Sequence, residues 1–273
     1  MSRCESDLGN IHQQLQTLDH SAARIEEQGF CVLDRTLTPA ECELWCSYVD
    51  DGLSRAEIGP LRTGREQATQ TYGSRNVLSL LPRIVELVKT PLVFELCKAV
   101  LGEKLGVVRA LYFDKPPGAS WALPWHQDLT IAIKQHYDAI APTNSEWNDW
   151  FSKPTTKAGV CHVEAPRELL ESMLTIRVHL DAMGPENGPL HVRPGSHRFG
   201  KLREEADANA ANDSTPIYCN QGSVMLMRPL LSHSSIGCLP NCMQHRRIIH
   251  LELCNLEPLP TPFEWHTWIT VQN

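Results

Sequence analysis

Apolar positions along the chain change rhythm once, near residue 106. Before it the pattern is helical: Ile11, Leu15, Leu18, Ala22 and Ile25 recur every three or four residues, and Gly29 ends the run. Phe30-Cys31-Val32-Leu33 has the look of a short buried strand. Thr38-Pro39-Ala40-Glu41 predicts a second helix, with Thr38 as N-cap, Pro39 in the first helical position and Glu41 where a capping box needs its acid. A third helix is predicted over 92–101, stopped by Gly102. After Gly106 short apolar runs replace the helical period, predicting strands at 107–113, 123–133, 173–181, 190–193, 223–227, 246–254 and 265–271. Turn chemistry separates several of them, as in Gly184-Pro185-Glu186-Asn187-Gly188 and Arg193-Pro194-Gly195-Ser196. Helices first and strands afterwards predict a mainly β fold, a sandwich or barrel with flanking helices packed outside. Without internal repeats, 1–273 reads as one domain, mainly helical over 1–106 and a β core over 107–273. Residues 134–172 interrupt the strands with Trp147, Trp150 and polar residues, long enough to expect a lid-like insertion.

Composition narrows the function. With Lys+Arg 25 against Asp+Glu 32 the net charge is −7, which disfavours a sequence-independent nucleic-acid binder. No apolar run approaches the ~18 residues of a membrane span, and no signal pattern opens the chain, so a cytoplasmic protein without membrane contact is expected. Ten Cys without a CxxC pair read as reduced thiols. The 12 His are the conspicuous count.

A His-x-Asp on a strand places both side chains on one face, because strand side chains alternate. A third His from elsewhere would complete a two-His, one-carboxylate face for Fe(II), with open positions for ligands. The motif alone does not select. The same composition supplies about one or two His-x-acid pairs by chance, and the chain holds five: His126/Asp128, His136/Asp138, His162/Glu164, His179/Asp181 and His250/Glu252. His136/Asp138 and His162/Glu164 fall in the polar excursion, and His250/Glu252 falls close to the end. His126/Asp128, amid aromatics in Pro124-Trp125-His126-Gln127-Asp128, and His179/Asp181, on a good strand, both stand. For His179/Asp181 the plain reading is a core-edge His followed by a turn-starting Asp.

Downstream, His233 precedes Arg246-Arg247, which open an apolar strand. A buried Arg needs an anion, and its planar fork suits a carboxylate. Arg247 shares a face with Ile249, Leu251 and Leu253, as if packing on a helix. Arg246 shares one with Ile248, His250 and Glu252, as if lining a polar interior. Both could also be ordinary surface residues at a strand end.

Together these segments carry a resemblance. Lys115-Pro116-Pro117-Gly118, Pro124-Trp125-His126-Gln127-Asp128, the run from Asn187 through Arg193-Pro194-Gly195-Ser196-His197, His233-Ser234-Ser235 and Arg246-Arg247 follow in the order of the phytanoyl-CoA dioxygenase family. Glu27-Gln28-Gly29-Phe30 and the Thr38-Pro39 helix resemble that family's usual start. The resemblance implies a double-stranded β-helix (jelly-roll, cupin-like) core that binds Fe(II), takes 2-oxoglutarate as co-substrate and O2, and accepts ascorbate as an optional addition in vitro. His126, Asp128 and His233 resemble the catalytic iron ligands. Arg246 resembles the anchor of the distal 2-oxoglutarate carboxylate, with Ser235 as helper and Arg177 beside the co-substrate. The resemblance implies oxidation of a small-molecule substrate with release of succinate and CO2. Asp128 stands where halogenase variants carry a small residue. The stretch Ser235-Ile236-Gly237-Cys238-Leu239-Pro240-Asn241 is about two residues longer than the family's usual Ser-Gly-Pro-Asn, which leaves Arg246 and Arg247 as rivals, with Arg246 preferred. Trp121, Trp147, Trp150 and His162 are candidates for the substrate wall, with plain packing as the other reading of each.

Two further readings stay open. One is a metal hydrolase or isomerase on the same barrel; the other is a non-catalytic jelly-roll binding protein. A buried carboxylate fork at Arg246 separates the first from the oxygenase, and an intact ligand set speaks against the second. The substrate's identity and the oligomeric state are not readable from the residues.

Overall fold

The computed structural model describes residues 2–54, 73–117, 121–134, 152–202, 213–261 and 263–272. Seven strands form one antiparallel sheet: β1 (Phe30–Leu33), β2 (Gly73–Arg75), β3 (Gly106–Phe113), β8 (Met173–His179), β11 (Val224–Met227), β13 (Ile248–Cys254) and β14 (Ile269–Thr270). Their order is β1-β11-β8-β13-β3-β14, with β2 also paired to β3. A second sheet runs β10 (Thr215–Ile217), β9 (Leu190–Val192), β12 (His233–Ser235), β4 (Leu123–His126). A third runs β5 (Thr130–Ile133), β7 (Val160–Glu164), β6 (Ser152–Lys157). Four α-helices are described: α1 (Ser2–Gln28), α2 (Pro39–Ser54), α3 (Pro91–Leu101) and α4 (Arg167–Glu171). The antiparallel double sheet with outer helices is the mainly β, jelly-roll arrangement expected from the change of rhythm at Gly106.

Period-two alternation sorts the large sheet into an oily face and a polar one. Ala110 and Tyr112 of β3, Ile176 and Val178 of β8, Leu226 of β11, and Ile249, Leu251 and Leu253 of β13 share one core with Cys42, Cys46 and Val49 of α2 and Val93, Leu96 and Cys97 of α3. Burying such side chains stabilises by roughly 1.5–3 kcal/mol each. The residues between them point the other way and are polar or ionisable: Arg109, Arg177, His179, His250 and Glu252. They are the floor of a polar interior.

The N-terminus of α2 is closed by the predicted capping box. Glu41 Oε2 accepts from the Thr38 backbone N–H at 2.7 Å and from Thr38 Oγ1 at 2.8 Å, while the Glu41 N–H donates to Thr38 Oγ1 at 3.3 Å. Those bonds hold the Glu41 carboxyl below its ordinary pKa. Thr38→Ala is expected to destabilise the protein by about 1 kcal/mol, read as a shifted denaturant midpoint with an unchanged slope; no shift would show that the box is dispensable.

Some expectations change. The strand predicted over 123–133 is two strands in different sheets, because the chain leaves one ladder after His126 and joins the other at Thr130. Within 134–172, residues 152–164 form the β6–β7 hairpin beside β5. Residues 135–151, with Trp147 and Trp150, lie outside the described residues. All nine described cysteines are free thiols. Among the described residues no helix is long and apolar enough to cross a membrane.

Candidate functional site

β4 and β12 lie side by side with His126 directly opposite His233. The two rings are 4.2 Å apart, centroid to centroid. Asp128 follows one residue beyond β4, where its backbone N–H donates to Pro229 O at 2.9 Å. Between the two, Gln127 points away and is tied on three sides: it donates to Gly200 O at 2.9 Å and Leu230 O at 2.6 Å, and accepts from the Leu202 N–H at 2.8 Å. A side chain so fixed locks the backbone that aims its neighbours.

The donor atoms converge. His126 Nε2 is 4.0 Å from Asp128 Oδ1, and His233 Nε2 is 3.8 Å from Asp128 Oδ2. One ligand atom from each of the three residues lies within 4.8 Å of the others. Both histidines hold their Nδ1 proton against a backbone carbonyl, His126 on Pro124 O and His233 on Leu231 O, each at 2.8 Å. That fixes the tautomer and leaves the Nε2 lone pairs facing Asp128. Burial, and then the neighbouring His126, push the His233 pKa down to about 3, so its ring is neutral and free to donate a lone pair. Burial would raise the Asp128 carboxyl, but the facing His233, His250, His126 and Arg109 outweigh it and hold it well below the carboxylate range. Asp128 Oδ2 is buried without a hydrogen-bond partner. A buried, ionised, unpartnered oxygen beside two imidazole lone pairs is costly unless a cation joins them. The donor set therefore fits a divalent metal.

The rival pair does not converge. Asp181 accepts from Arg247 Nε and Nη2, both at 2.8 Å, and from the Arg247 backbone N–H. His179 lies fully buried on the interior face with neither ring nitrogen partnered. That bidentate pair also separates the two arginines: Arg247 is a structural ion pair, whereas Arg246 is buried at 2 % exposure. The alternation read along β13 correctly put Arg246 on the polar side. Among the described residues its guanidinium meets Met183, Nη1 lying 3.5 Å from Sδ, and Nε has no hydrogen-bond partner. Burial, and then Arg177, push its pKa down to about 9.

Arg246 lines one pocket with His126, Asp128, His233, Ser235 and Arg177. All six residues singled out in the sequence thus meet. Trp121 is a further lining residue, while His162 sits apart on β7, fully buried. Arg177 Nη1 donates to His250 Nδ1 at 3.3 Å, and His250 Nε2 lies 3.4 Å from Glu252 Oε1. Glu252 also takes a direct bond from Arg109 Nη2. The His250/Glu252 pair, set aside in sequence for its late position, therefore buttresses the pocket.

Lys115 was legible only as part of a turn motif. Its Nζ is buried and donates to Ile236 O at 2.6 Å, Ser235 Oγ at 3.2 Å and Gly188 O at 3.5 Å, 4.6 Å from the centroid of the Trp121 ring. Gly188 is required here: at φ +71, an added Cβ would lie 2.5 Å from Ile236 O and 2.9 Å from Lys115 Nζ. Burial, Arg246 and Arg177 lower the Lys115 pKa to about 7. Three basic groups thus crowd one side of the pocket.

A model of the phytanoyl-CoA dioxygenase family matches residues 25–239, a span that includes His126, Asp128 and His233. No curated protein matches the sequence. Solved structures share the fold. EctD from S. alaskensis, holding 2-oxoglutarate and 5-hydroxyectoine, superposes with a TM-score of 0.62 at 19% identity, over 86% of this chain and 75% of that one. The 2-oxoglutarate-dependent carbocyclase SnoK from nogalamycin biosynthesis gives 0.61 at 16%, over 86% and 83%. The epimerase SnoN from the same biosynthesis gives 0.59 at 15%, over 88% and 81%. The family match runs from the end of α1 past β12, over the same strands that bring the ligand set together, and by it the chain belongs to the phytanoyl-CoA dioxygenase family.

Proposed function

We infer that the protein is an Fe(II)- and 2-oxoglutarate-dependent oxygenase that oxidises a C–H bond of a small molecule, with release of succinate and CO2. One observation carries this reading: a buried arginine without a carboxylate partner among the described residues shares a pocket with a two-histidine, one-carboxylate set. A hydrolase or isomerase that does not take 2-oxoglutarate would have no use for that fork.

His126 and His233, through Nε2, and Asp128, through its carboxylate, would hold the metal. When bound, iron supplies the oxygen chemistry that side chains lack. Arg246 binds the distal carboxylate of 2-oxoglutarate, and the anion offsets a desolvated positive charge that is otherwise unmatched. Lys115 occupies a lone pair of Ser235 Oγ, which leaves the hydroxyl proton to donate to that carboxylate. Arg177, held by His250, sits beside the co-substrate and adds positive potential. Trp121 and Phe113 pack 6.4 Å apart at the pocket and limit water there. The same residues serve hydroxylation, cyclisation or epimerisation, since they bind and orient the shared partners rather than the substrate.

Anaerobic addition of Fe(II) and 2-oxoglutarate is expected to produce a visible charge-transfer absorption. Arg246→Ala should weaken 2-oxoglutarate binding at least about tenfold, the cost of a lost charge-assisted contact. Arg247→Ala should leave it within about twofold. Full metal loading without the absorption would remove the oxygenase reading.

A further inference from the structure

Within electrostatic reach of Asp128 stands a second group of basic side chains that the proposed mechanism does not use. Arg75 on β2 pairs with Leu111, which makes Arg109, two residues earlier on the same face of β3, its diagonal neighbour. From the third sheet come Lys157 and His162. Lys157 pairs with Val160, so it shares the face of His162, and its Nζ donates to Thr130 Oγ1 at 3.3 Å. Arg109 lowers the proton affinity of Arg75 and of Lys157, and all three lower that of His162, which places the four within electrostatic reach.

Among the described residues the charges of this group are not matched one for one. Glu252 meets it directly and is shared between Arg109 and His250, while Glu164, on the same face of β7 as His162, pairs with Lys201. Asp128 belongs to the ligand set. Among the described residues no carboxylate pairs with Arg75 or Lys157. Nε and Nη1 of Arg109 and Nε2 of His162 are buried with no hydrogen-bond partner, on side chains that are 7% and 0% exposed. Leaving buried donors and like charges together is expensive, and it persists where a ligand completes the set. 2-Oxoglutarate already has Arg246 and Ser235 in the pocket beside the ligand set.

We propose that Arg75, Arg109 and Lys157 form the substrate's anion-binding subsite, so that the substrate carries a carboxylate or phosphate group. Arg109, fixed by Glu252, turns its two free N–H edges to the anion. Arg75 and Lys157 close on it from the large and the third sheet. His162 packs behind as a neutral ring, its pKa lowered to about 4 by burial above all. The anion then sets which carbon of the substrate lies over the ligand set. This assignment rests on the oxygenase reading.

The test uses the full chain loaded with Mn(II) and saturating 2-oxoglutarate, which fills the Arg246 end. Inorganic phosphate and acetate are titrated in turn, and paramagnetic relaxation of their 31P and methyl 1H signals reports binding near the metal. Saturable binding of one ion is expected, and the tighter of the two assigns phosphate or carboxylate. Arg75→Gln and Lys157→Gln should each weaken it about tenfold, with Arg75→Lys recovering part of the loss. In the same variants the 2-oxoglutarate dissociation constant should stay within about twofold, which separates a lost subsite from a lost fold. Relaxation that never saturates, or that saturates identically in both variants, overturns the subsite. Failure of the parent protein to bind 2-oxoglutarate would instead overturn the reading on which it rests.

Discussion

His126→Ala is expected to weaken Fe(II) binding by at least about a hundredfold and to abolish succinate release. Loss of an outer partner of a metal ligand typically costs 10–100-fold, and removal of a ligand exceeds that. The effect should be severe because the remaining set has no substitute: His250 is held by Arg177 and Glu252, His179 lies outside the convergent group, and that group among the described residues is one ligand atom each from His126, Asp128 and His233. His179→Ala should keep its metal affinity within about threefold. The comparison is made by equilibrium metal titration together with succinate quantification. Retained binding in the His126 variant, with loss in the His179 variant, would move the centre to β8.

A second large effect is expected away from the metal. Glu252 is 3% exposed and joins Arg109 to His250, which in turn holds Arg177. Burial would raise its carboxyl pKa, but Arg109 outweighs that and keeps it ionised. Glu252→Ala would leave a buried guanidinium without its counter-charge, at a cost of about 3–5 kcal/mol. Glu252→Gln, which keeps an acceptor, should cost about half as much. Denaturant unfolding of the metal-free protein measures both. A loss below about 1 kcal/mol for the alanine variant would show that Arg109 is solvated rather than paired.

Much of this was written in alternation. Along β13 the odd and even positions divide Arg246, Ile248, His250 and Glu252 from Arg247, Ile249, Leu251 and Leu253, and the folded faces follow that division. Strands of seven or eight residues announce themselves in this way. β2, β10 and β12 span three residues each, too short for a period to register, and β6 reads Ser-Lys-Pro-Thr-Thr-Lys, polar throughout. They exist because neighbours supply their hydrogen bonds and cover. For the same reason the sequence pattern puts His162 in an irregular excursion, although it sits on β7.

The site was legible in part. Five His-x-acid pairs look alike in one dimension, and their difference is which second histidine lies across the ladder. Only the pairing of β4 with β12 states that, and it joins residues 107 apart. Arg109 left a signal that went unused: a single charge within Gly106–Phe113, an otherwise uncharged strand, has to meet something inside. Lys115 left none beyond its turn, since its burial depends on the distant Gly188 and Ile236.

The position of His126 has a mechanical consequence. β4 is the outermost strand of its sheet, bonded through two residue pairs to β12 with an irregular step between them. An ion gripped by His126 on that margin and by His233 one strand inward would act as a rivet, fastening a border that the backbone ladder holds weakly. Loss of the ion would then loosen β4 before the large sheet gives way, so that the order in which the molecule comes apart begins at its reactive centre.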